Sequence, residues 1–530
     1  MLSRDEALAT LASDPFDVLV IGGGITGAGV ALDAATRGYS VALAERADFA
    51  SGTSSRSSKL VHGGLRYLQH FDLGLVREAL VERQINVNLA PHLVRPLRFV
   101  VPAFDGARPD RVVGIGLNAY DVMAVRGRRA RQEADWSPAR HRVISGAEVT
   151  ELVPALAGQQ PTSGYLFYDC QTDDARLVLT VLAEAERFGA VAANRLEAVE
   201  LLIRDGRAAG ATLRDTESGA TLEVLADNVV NATGVWADRL RPAELHDEAG
   251  VPHIRPSRGS HVILPRAALP VDAGVTVPAG EGRTIFAVPW LGQTLVGTTD
   301  TDHDGPVEDV RPTREDVDYL LGAANAFFGT ALGTGDIAGA YAGVRPLIAS
   351  DDPRKSVDIS RRAELYETSS GLITITGGKL TTWRRMAKEA VDRIAWRDGS
   401  EVECRTHAVP LGMPVDPADL VHAPPAARAQ LAGRYGHLAH DVLAHGRAEP
   451  ILPGYPDLEC EVVYAARREQ ARTVADVLLR RTRLGLTAAR PLLASGAVER
   501  VAALLAVELG WDPVRTAREG AAFKDVVALP

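Results

Sequence analysis

Short apolar runs alternate along this chain with glycine-containing turns and with stretches of helical periodicity. An apolar run at residues 18–21 predicts a buried strand, and a second run at residues 41–43 predicts a strand close to it. The same order of strand, glycine turn and helix returns at residues 227–238 and 371–395. We therefore expect an α/β fold in which one domain is assembled from distant pieces of the chain.

Other segments have different periodicities. Residues 112–123 predict a buried helix or strand, and residues 253–310 contain several short strands that predict a β-rich domain. A helix is expected at about residues 314–329. Beyond residue 400, alanine, leucine and arginine recur at helical spacing, which predicts a separate helical domain.

The first turn has the spacing G-x-G-x-x-G, formed by Gly22, Gly24 and Gly27 at the start of the first predicted long helix. These glycines permit a tight turn, a close approach of the backbone to a pyrophosphate, and close packing of helix on strand. The helix N-terminus attracts phosphates, and Glu45, at the end of the second strand, can accept hydrogen bonds from ribose hydroxyls. The arrangement predicts a dinucleotide site, which by itself fits NAD as well as FAD.

Composition and charge narrow the possible functions. The chain has 530 residues, of which 46% are hydrophobic and 24% charged, as is ordinary for a globular protein of several domains. A net charge of −10 argues against a general nucleic-acid binder. The cysteines at positions 170, 404 and 460 match no metal-ligand spacing, so neither a metal site nor a disulfide framework is expected.

The N-terminal segment lacks the apolar core of a signal peptide, and it predicts a short helix before the first strand. No apolar run is long enough to cross a bilayer. We therefore expect a cytoplasmic protein, with peripheral attachment to the inner face of the cell membrane left open.

A serine-rich segment at residues 49–68 follows the second strand. Such a segment is either a flexible linker or a functional loop. We favour a functional loop, because the segment contains Lys59, His62, Arg66 and Tyr67 together with a double glycine.

Several blocks of the sequence together resemble the FAD-dependent glycerol-3-phosphate dehydrogenases, a family within the D-amino-acid-oxidase-like superfamily of FAD enzymes. They lie in chain order at residues 57–68, 168–179, 259–265, 297–302, 341–347 and 377–382. The resemblance implies a Rossmann-like FAD-binding domain of the glutathione-reductase and D-amino-acid-oxidase type, a β-rich substrate domain and an α-helical C-terminal domain. Their expected bounds are residues 14–90, 161–245 and 362–398 for the first domain, 91–160 and 246–361 for the second, and 400–530 for the third.

The resemblance implies FAD as the cofactor. Gly22, Gly24, Gly27 and Glu45 would contact its ADP half. Further cofactor contacts are expected from Ser58, Thr233, Gly234, Gly377, Gly378, Lys379, Leu380 and Thr381.

The implied reaction is the oxidation of sn-glycerol 3-phosphate to dihydroxyacetone phosphate, with hydride transfer from C2 to flavin N5 and onward transfer of the electrons to a quinone. Arg345 and Arg361 are the candidate phosphate ligands, because a guanidinium offers paired donors at fixed charge. Arg66 and Tyr67 would complete the site. A structural salt bridge is the alternative role for Arg345.

Three candidates could handle the proton of the substrate hydroxyl. His261 is the first choice as general base, because imidazole titrates near neutrality. His62 is a rival, and it could instead face the flavin ring. Lys379, at a predicted helix N-terminus, could act as a base, but we favour a charged lysine that stabilises the reduced flavin.

Other activities and partners stay open at this stage. A glycerol-3-phosphate oxidase that uses O2, an amino-acid or amine oxidase of the same superfamily, and a non-catalytic flavin-binding module are the alternatives. A homodimer is possible. Arginines of the helical tail either form ion-paired or solvated faces or contact an anionic membrane, and they are Arg467, Arg468, Arg472, Arg480, Arg481 and Arg483.

Overall fold

The computed structural model describes residues 1–64, 72–106, 109–128, 138–240, 253–280, 282–348 and 363–529. The strands, numbered in chain order, are β1 (Phe16–Ile21), β2 (Val41–Ala44), β3 (Leu60–Val61), β4 (Arg95–Ala103), β5 (Arg142–Ser145), β6 (Ser163–Gln171), β7 (Val191–Ala193), β8 (Leu196–Arg204), β9 (Arg207–Asp215), β10 (Thr221–Asn231), β11 (Ile254–Pro265), β12 (Gly274–Pro278), β13 (Thr284–Trp290), β14 (Gln293–Gly297), β15 (Thr301–Asp302), β16 (Gly339–Ile348), β17 (Ala363–Glu367) and β18 (Ile373–Gly377).

The helices are α1 (Arg4–Ser13), α2 (Ile25–Thr36), α3 (Leu73–Leu89), α4 (Arg111–Arg128), α5 (Gly146–Leu152), α6 (Asp174–Arg187), α7 (Arg314–Phe328), α8 (Trp383–Asp398), α9 (Pro425–Tyr435), α10 (Ala439–Ala444), α11 (Glu459–Arg468), α12 (Val474–Asp476), α13 (Leu484–Thr487), α14 (Ala489–Ala494), α15 (Ala497–Leu509) and α16 (Pro513–Val527).

The first sheet has eight strands, in the order β17-β18-β10-β1-β2-β7, with β8 and β9 extending from β10. β1 is parallel to both β2 and β10, and β10 is parallel to β18. Val18 and Val20 pack into a core with residues of α2, α6 and α8, whereas Leu19 and Ile21 belong to the core on the opposite face. Both faces are covered, so residues 18–21 of β1 are all apolar rather than alternating between apolar and polar. The predicted Rossmann-like fold is confirmed.

The second sheet has ten strands, in the order β15-β11-β14-β13-β12-β4-β6-β3, with β16 paired to β11 and β5 paired to β6. β11 and β16 are antiparallel, and their register places His261 opposite Tyr341 and Ser257 opposite Arg345. Residues of α7 share a core with β11, β12 and β14 on one face of this sheet. The β-rich region expected from residues 253–310 is therefore present.

The helical C-terminal domain is also confirmed. Its helices surround two apolar cores, one centred on α9 to α11 and the other on α11 to α16. The boundaries assigned to the three domains stay predictions.

Two local predictions were wrong in part. Residues 112–123 form most of α4, which buries Leu117 and Tyr120, but Val112 and Ile115 on its other face are 74% and 70% exposed. After β10 the chain forms only a 3₁₀ segment (Gly234–Leu240) instead of an α-helix. Within the described part of the chain, no helix is both long enough and apolar enough to cross a membrane.

Candidate active site

The carboxyl ends of the parallel strands open into a cavity of about 1450 Å³ that is lined by both sheets. Ile21, Ala44 and Gly377 end β1, β2 and β18 on one side of it, and His261 and Arg345 of the second sheet also line it. Ligands of open α/β sheets bind outside the carboxyl ends of the strands. The cavity is therefore the candidate active site.

The glycine turn after β1 brings the backbone close to this cavity. Gly22 has φ +116°, and a Cβ there would lie 2.6 Å from the carbonyl oxygen of Ala232. A Cβ on Gly27 would lie 1.9 Å from the carbonyl oxygen of Gly22. α2 begins at Ile25, whose N–H donates to Ser54 Oγ at 3.0 Å. The turn has no space for side chains, as the approach of a pyrophosphate to a helix N-terminus requires.

Glu45 holds this turn in addition to lining the cavity. One carboxylate oxygen accepts a hydrogen bond from Gly23 N–H at 2.7 Å, and the other accepts one from Ala47 N–H at 2.8 Å. A carboxylate has about four lone-pair positions, so Glu45 can fix the turn and still accept from ribose hydroxyls. Burial raises the pKa of the Glu45 carboxyl.

One hydrogen bond closes the turn after β10, and another joins that turn to β18. Thr233 Oγ1 donates to Asn231 Oδ1 at 2.7 Å, and Thr376 Oγ1 donates to the Gly234 carbonyl at 3.2 Å. The other cofactor candidates of these turns line the cavity with them, namely Gly377, Gly378, Lys379, Leu380 and Thr381.

A buried polar network that the sequence did not reveal fixes the turn after β18, which contains Lys379. Thr381 Oγ1 accepts from His62 N–H at 3.1 Å, which fixes the backbone of His62 beside this turn. The Asn86 side-chain amide donates to the Thr381 carbonyl at 3.2 Å and accepts from Trp383 Nε1 at 2.7 Å. Three distant segments thus define one wall of the cavity.

The described part of the serine-rich segment, residues 49–64, is a structured loop beside the cavity, which favours the functional interpretation over a flexible linker. Arg56, for which the sequence offered no role, donates to the carbonyls of Val310 and Ala342 at 3.2 and 3.3 Å and so ties the loop to the second sheet. Burial lowers the pKa of Arg56 to about 10. Ser57 and Ser58 line the cavity.

His261 lies on β11 and is only 2% exposed. Its Nε2 is 2.9 Å from Ser58 Oγ, and its ring stacks on Tyr341 with the centroids 4.8 Å apart. Gly297 of β14 makes room for the ring, since a Cβ there would lie 2.3 Å from it. The imidazole is therefore held in one orientation at the cavity wall.

The charges near His261 favour the neutral imidazole. Burial is the main cause that lowers the pKa of His261 well below its ordinary value, and the positive charges of Lys59 and Arg345 lower it further. A neutral ring nitrogen can accept a proton, and the lowered pKa keeps the imidazole neutral to lower pH than usual.

Arg345 has the properties of both roles that the sequence left open, a phosphate ligand and a member of a structural salt bridge. It lines the cavity and is half-buried, and its Nη2 donates to Thr298 Oγ1 at 2.9 Å. Its Nη1 is 3.3 Å from Asp300 Oδ1, so a salt bridge orients the guanidinium without removing it from the cavity.

Three candidate ligands cannot be placed, and five of the tail arginines are held in ion pairs, although Arg480 also lines the cavity. Arg66, Tyr67 and Arg361 lie outside the described residues. Of the tail arginines, Arg480, Arg481 and Arg483 are buried in ion pairs with carboxylates of the FAD-binding region. Two more pair at the surface, Arg467 with Glu508 and Arg472 with Glu217. The ion pairs of these five arginines favour the ion-paired interpretation, and the membrane contact of the tail stays a prediction.

The cavity has the features that FAD requires. The glycine turn and the N-terminus of α2 offer backbone donors to a pyrophosphate, Glu45 lines the cavity as a possible acceptor for ribose hydroxyls, and the turns after β10 and β18 extend the site toward the second sheet. These elements would hold the cofactor.

Comparisons with known proteins agree with this geometry. A family model described as FAD dependent oxidoreductase matches residues 17–393, and one described as the C-terminal domain of alpha-glycerophosphate oxidase matches residues 373–516. The chain is 39% identical to "Glycerol-3-phosphate dehydrogenase 2" of Mycobacterium tuberculosis H37Rv, over 98% of this chain and 89% of that protein. It is also 39% identical to "Aerobic glycerol-3-phosphate dehydrogenase" of Bacillus subtilis, over 77% of this chain and 73% of that protein.

A solved structure shares the whole architecture. The glycerol-3-phosphate dehydrogenase from Bacillus halodurans complexed with FAD superposes with a TM-score of 0.78 at 31% identity, and the match covers 99% of this chain and 96% of that chain.

Proposed function

The chain belongs to the FAD-dependent glycerol-3-phosphate dehydrogenases, and from this premise we propose how its residues oxidise sn-glycerol 3-phosphate to dihydroxyacetone phosphate. Bound FAD supplies the hydride acceptor at N5 for the hydrogen on C2 of the substrate. The protein has to bind the phosphate, orient C2 and take up the proton of its hydroxyl group.

We propose Arg345 as a ligand of the substrate phosphate. Its guanidinium lines the cavity, and the contacts with Asp300 and Thr298 fix its plane before substrate arrives. A fixed, half-buried guanidinium binds a phosphate through charge-assisted hydrogen bonds with little loss of conformational freedom. Arg66, Tyr67 and Arg361 are proposed as further ligands on the resemblance alone.

His261 is proposed to accept the proton of the C2 hydroxyl at Nε2, the nitrogen that contacts Ser58. The single observation that carries this assignment is a buried imidazole in the wall of the cofactor cavity, fixed by stacking on Tyr341 and by its contact with Ser58. Lys379, at the turn after β18, is proposed to keep its charge and stabilise negative charge on the reduced ring.

A substrate panel tests this function. Purified holoenzyme should oxidise sn-glycerol 3-phosphate but neither glycerol, which lacks the phosphate, nor D-amino acids. Oxidation of D-amino acids in place of the phosphate ester would favour an amino-acid oxidase and contradict the proposal.

A quinone is the proposed electron acceptor, reached at the surface of the cytoplasmic membrane. Leu73, Val112 and Ile115 line the mouth of the cavity and are exposed, and Phe99 and Phe286 line it as well. An exposed apolar rim at an active-site opening is typical of a surface that meets a membrane or an apolar ligand. Association into a homodimer stays a prediction.

Two measurements test the acceptor and the membrane contact. Turnover should be fast with a soluble quinone and slow with O2, and hydrogen peroxide formation at a comparable rate would indicate the oxidase. The holoenzyme should cosediment with anionic vesicles, and the double variant Val112→Ser/Ile115→Ser should stay in the supernatant. Equal cosedimentation of both proteins would exclude the α4 surface as the contact.

A further inference from the structure

A short segment of the C-terminal helical domain inserts three arginines between the elements that form the cavity. Arg480, Arg481 and Arg483 are all buried, although each carries a full charge. Arg481 donates from Nη1 and Nη2 to the two carboxylate oxygens of Asp48, each at 2.9 Å. Asp48 follows Glu45 closely in the chain, so one arginine supports the loop at the ADP half of the site.

Arg483 reaches the other half of the site. Its Nη2 donates to Asp173 Oδ1 at 2.5 Å and to Asp174 Oδ1 at 2.7 Å, and its Nε lies 3.1 Å from both oxygens of Asp173. The two carboxylates stand at the start of α6. A guanidinium bridges them because its donors lie in one plane, a geometry that an ammonium group does not have.

Asp174 transmits this contact to the serine-rich loop. Its Oδ2 accepts from the Ser57 backbone N–H at 3.1 Å, from Ser57 Oγ at 2.7 Å and from Lys59 Nζ at 2.8 Å. Lys59 is fully buried and also donates to the Ser55 carbonyl at 2.6 Å. The residues on both sides of Ser58 are therefore fixed by one carboxylate.

The same loop fixes His261 from two directions. Ser58 Oγ is 2.9 Å from His261 Nε2. Tyr341, which stacks on the imidazole, donates from its hydroxyl to the Ser57 carbonyl at 2.7 Å, and the Lys59 ammonium lies 4.6 Å from the centre of its ring. A chain of direct contacts thus runs from Arg483 to His261.

We propose that Arg483 is a positioning residue for His261, so that the C-terminal helical domain takes part in the oxidation step through Asp174 and Lys59. The inference rests on the proposed function of His261. The balance of buried charge explains why Arg483 is needed. Two buried carboxylates, Asp173 and Asp174, are matched by two cations, Arg483 and Lys59. Removal of Arg483 leaves the buried Asp173 without its ion pair and leaves Asp174 paired with Lys59 alone. We expect Lys59, and with it the loop that carries Ser58, to shift toward the unmatched charge.

The test compares Arg483→Met and Arg483→Lys with the control Arg467→Met. Arg467 is an exposed arginine of the same domain that pairs with Glu508. Each holoenzyme is reduced anaerobically with sn-glycerol 3-phosphate in a stopped-flow instrument, and the limiting rate and the half-saturating concentration are measured across a pH series. The visible flavin spectrum reports whether FAD is retained.

We expect Arg483→Met to keep FAD and to lose about 100-fold in the limiting rate, the size of effect that a misplaced catalytic group produces. The half-saturating concentration should change little, because Arg345 is untouched, and Arg483→Lys should recover part of the rate. The charged and titratable groups around His261 are Lys59, Arg345 and Tyr341. Displacement of Lys59 raises the pKa of His261, so the acid limb of the rate profile should move to higher pH.

Three results would overturn the inference. One is a limiting rate equal to that of Arg467→Met, and another is a loss confined to the half-saturating concentration. If Arg483→Met does not retain FAD, Lys59→Met is measured in its place, because the pair between Arg483 and Asp174 stays intact in that variant. The third overturning result is a wild-type limiting rate for Lys59→Met. A wild-type enzyme that glycerol 3-phosphate does not reduce would show instead that the proposed function itself is wrong.

Discussion

Replacement of Arg345 by methionine removes the phosphate ligand while keeping the length of the side chain. The guanidinium presents two nitrogens, Nη1 near Asp300 and Nη2 near Thr298, and a phosphate can take a bond from each. A hydrogen bond to a charged group contributes about 1.5 kcal/mol at the low end of its range, so two bonds contribute about 3 kcal/mol. Since 1.4 kcal/mol corresponds to a factor of ten, KM should rise by a factor of about 100 to 200.

Asp300 makes the loss larger, because without Arg345 its carboxylate repels the substrate phosphate. The double variant Arg345→Met/Asp300→Asn should therefore have a lower KM than Arg345→Met alone. Steady-state kinetics with a soluble quinone measure KM for both variants. The control is Arg255→Met, on the same sheet, because Arg255 forms a more exposed ion pair with Asp302. An unchanged KM in Arg345→Met would remove Arg345 from the phosphate site and refute the reasoning.

Three more changes test other parts of the site. His261→Asn should keep FAD and slow anaerobic flavin reduction by about 10²- to 10⁴-fold, the range of a general base, and a wild-type rate would exclude that role. Burial lowers the pKa of His261 well below 6.5, and the base acts when it is neutral. We therefore expect kcat/KM to stay flat as the pH falls through 6.5 and to decline only at lower pH. A midpoint at 6.5 or above would contradict the lowering of this pKa by burial. Gly27→Ala should be purified without FAD, judged by its visible spectrum, because the new Cβ meets the Gly22 carbonyl, whereas Gly322→Ala on α7 meets no atom within 4 Å and should keep FAD.

Local sequence patterns predicted the elements that bind the cofactor. The apolar run of β1, the glycine turn and the first turn of α2 follow one another within a few residues, so their chemistry is visible without knowledge of the rest of the fold. The prediction that Glu45 lies at this site comes from the same local pattern, and Glu45 lines the cavity. Its hydrogen bonds to Gly23 and Ala47 could not be predicted, because they depend on how the turn closes.

The support of the site could not be predicted, because it comes from residues far apart in the chain. Arg483 pairs with Asp173 and Asp174 some three hundred positions earlier. The acidic pair is visible in the sequence as a helix start, but nothing local distinguishes it from an ordinary helix cap. Asn86 and Trp383 present the same difficulty, since each acquires its role only when α3 and α8 meet. The exposure of Val112 on α4 likewise depends on which face the neighbouring elements leave uncovered.

The central claim is that FAD in this cavity accepts a hydride from sn-glycerol 3-phosphate. Anaerobic titration of the holoenzyme with this substrate, followed by the visible flavin spectrum and by product analysis, tests it most directly. We expect the oxidised flavin band to be bleached and one dihydroxyacetone phosphate to form per flavin. A flavin that stays oxidised with glycerol 3-phosphate, but is bleached by a D-amino acid, would contradict the claim.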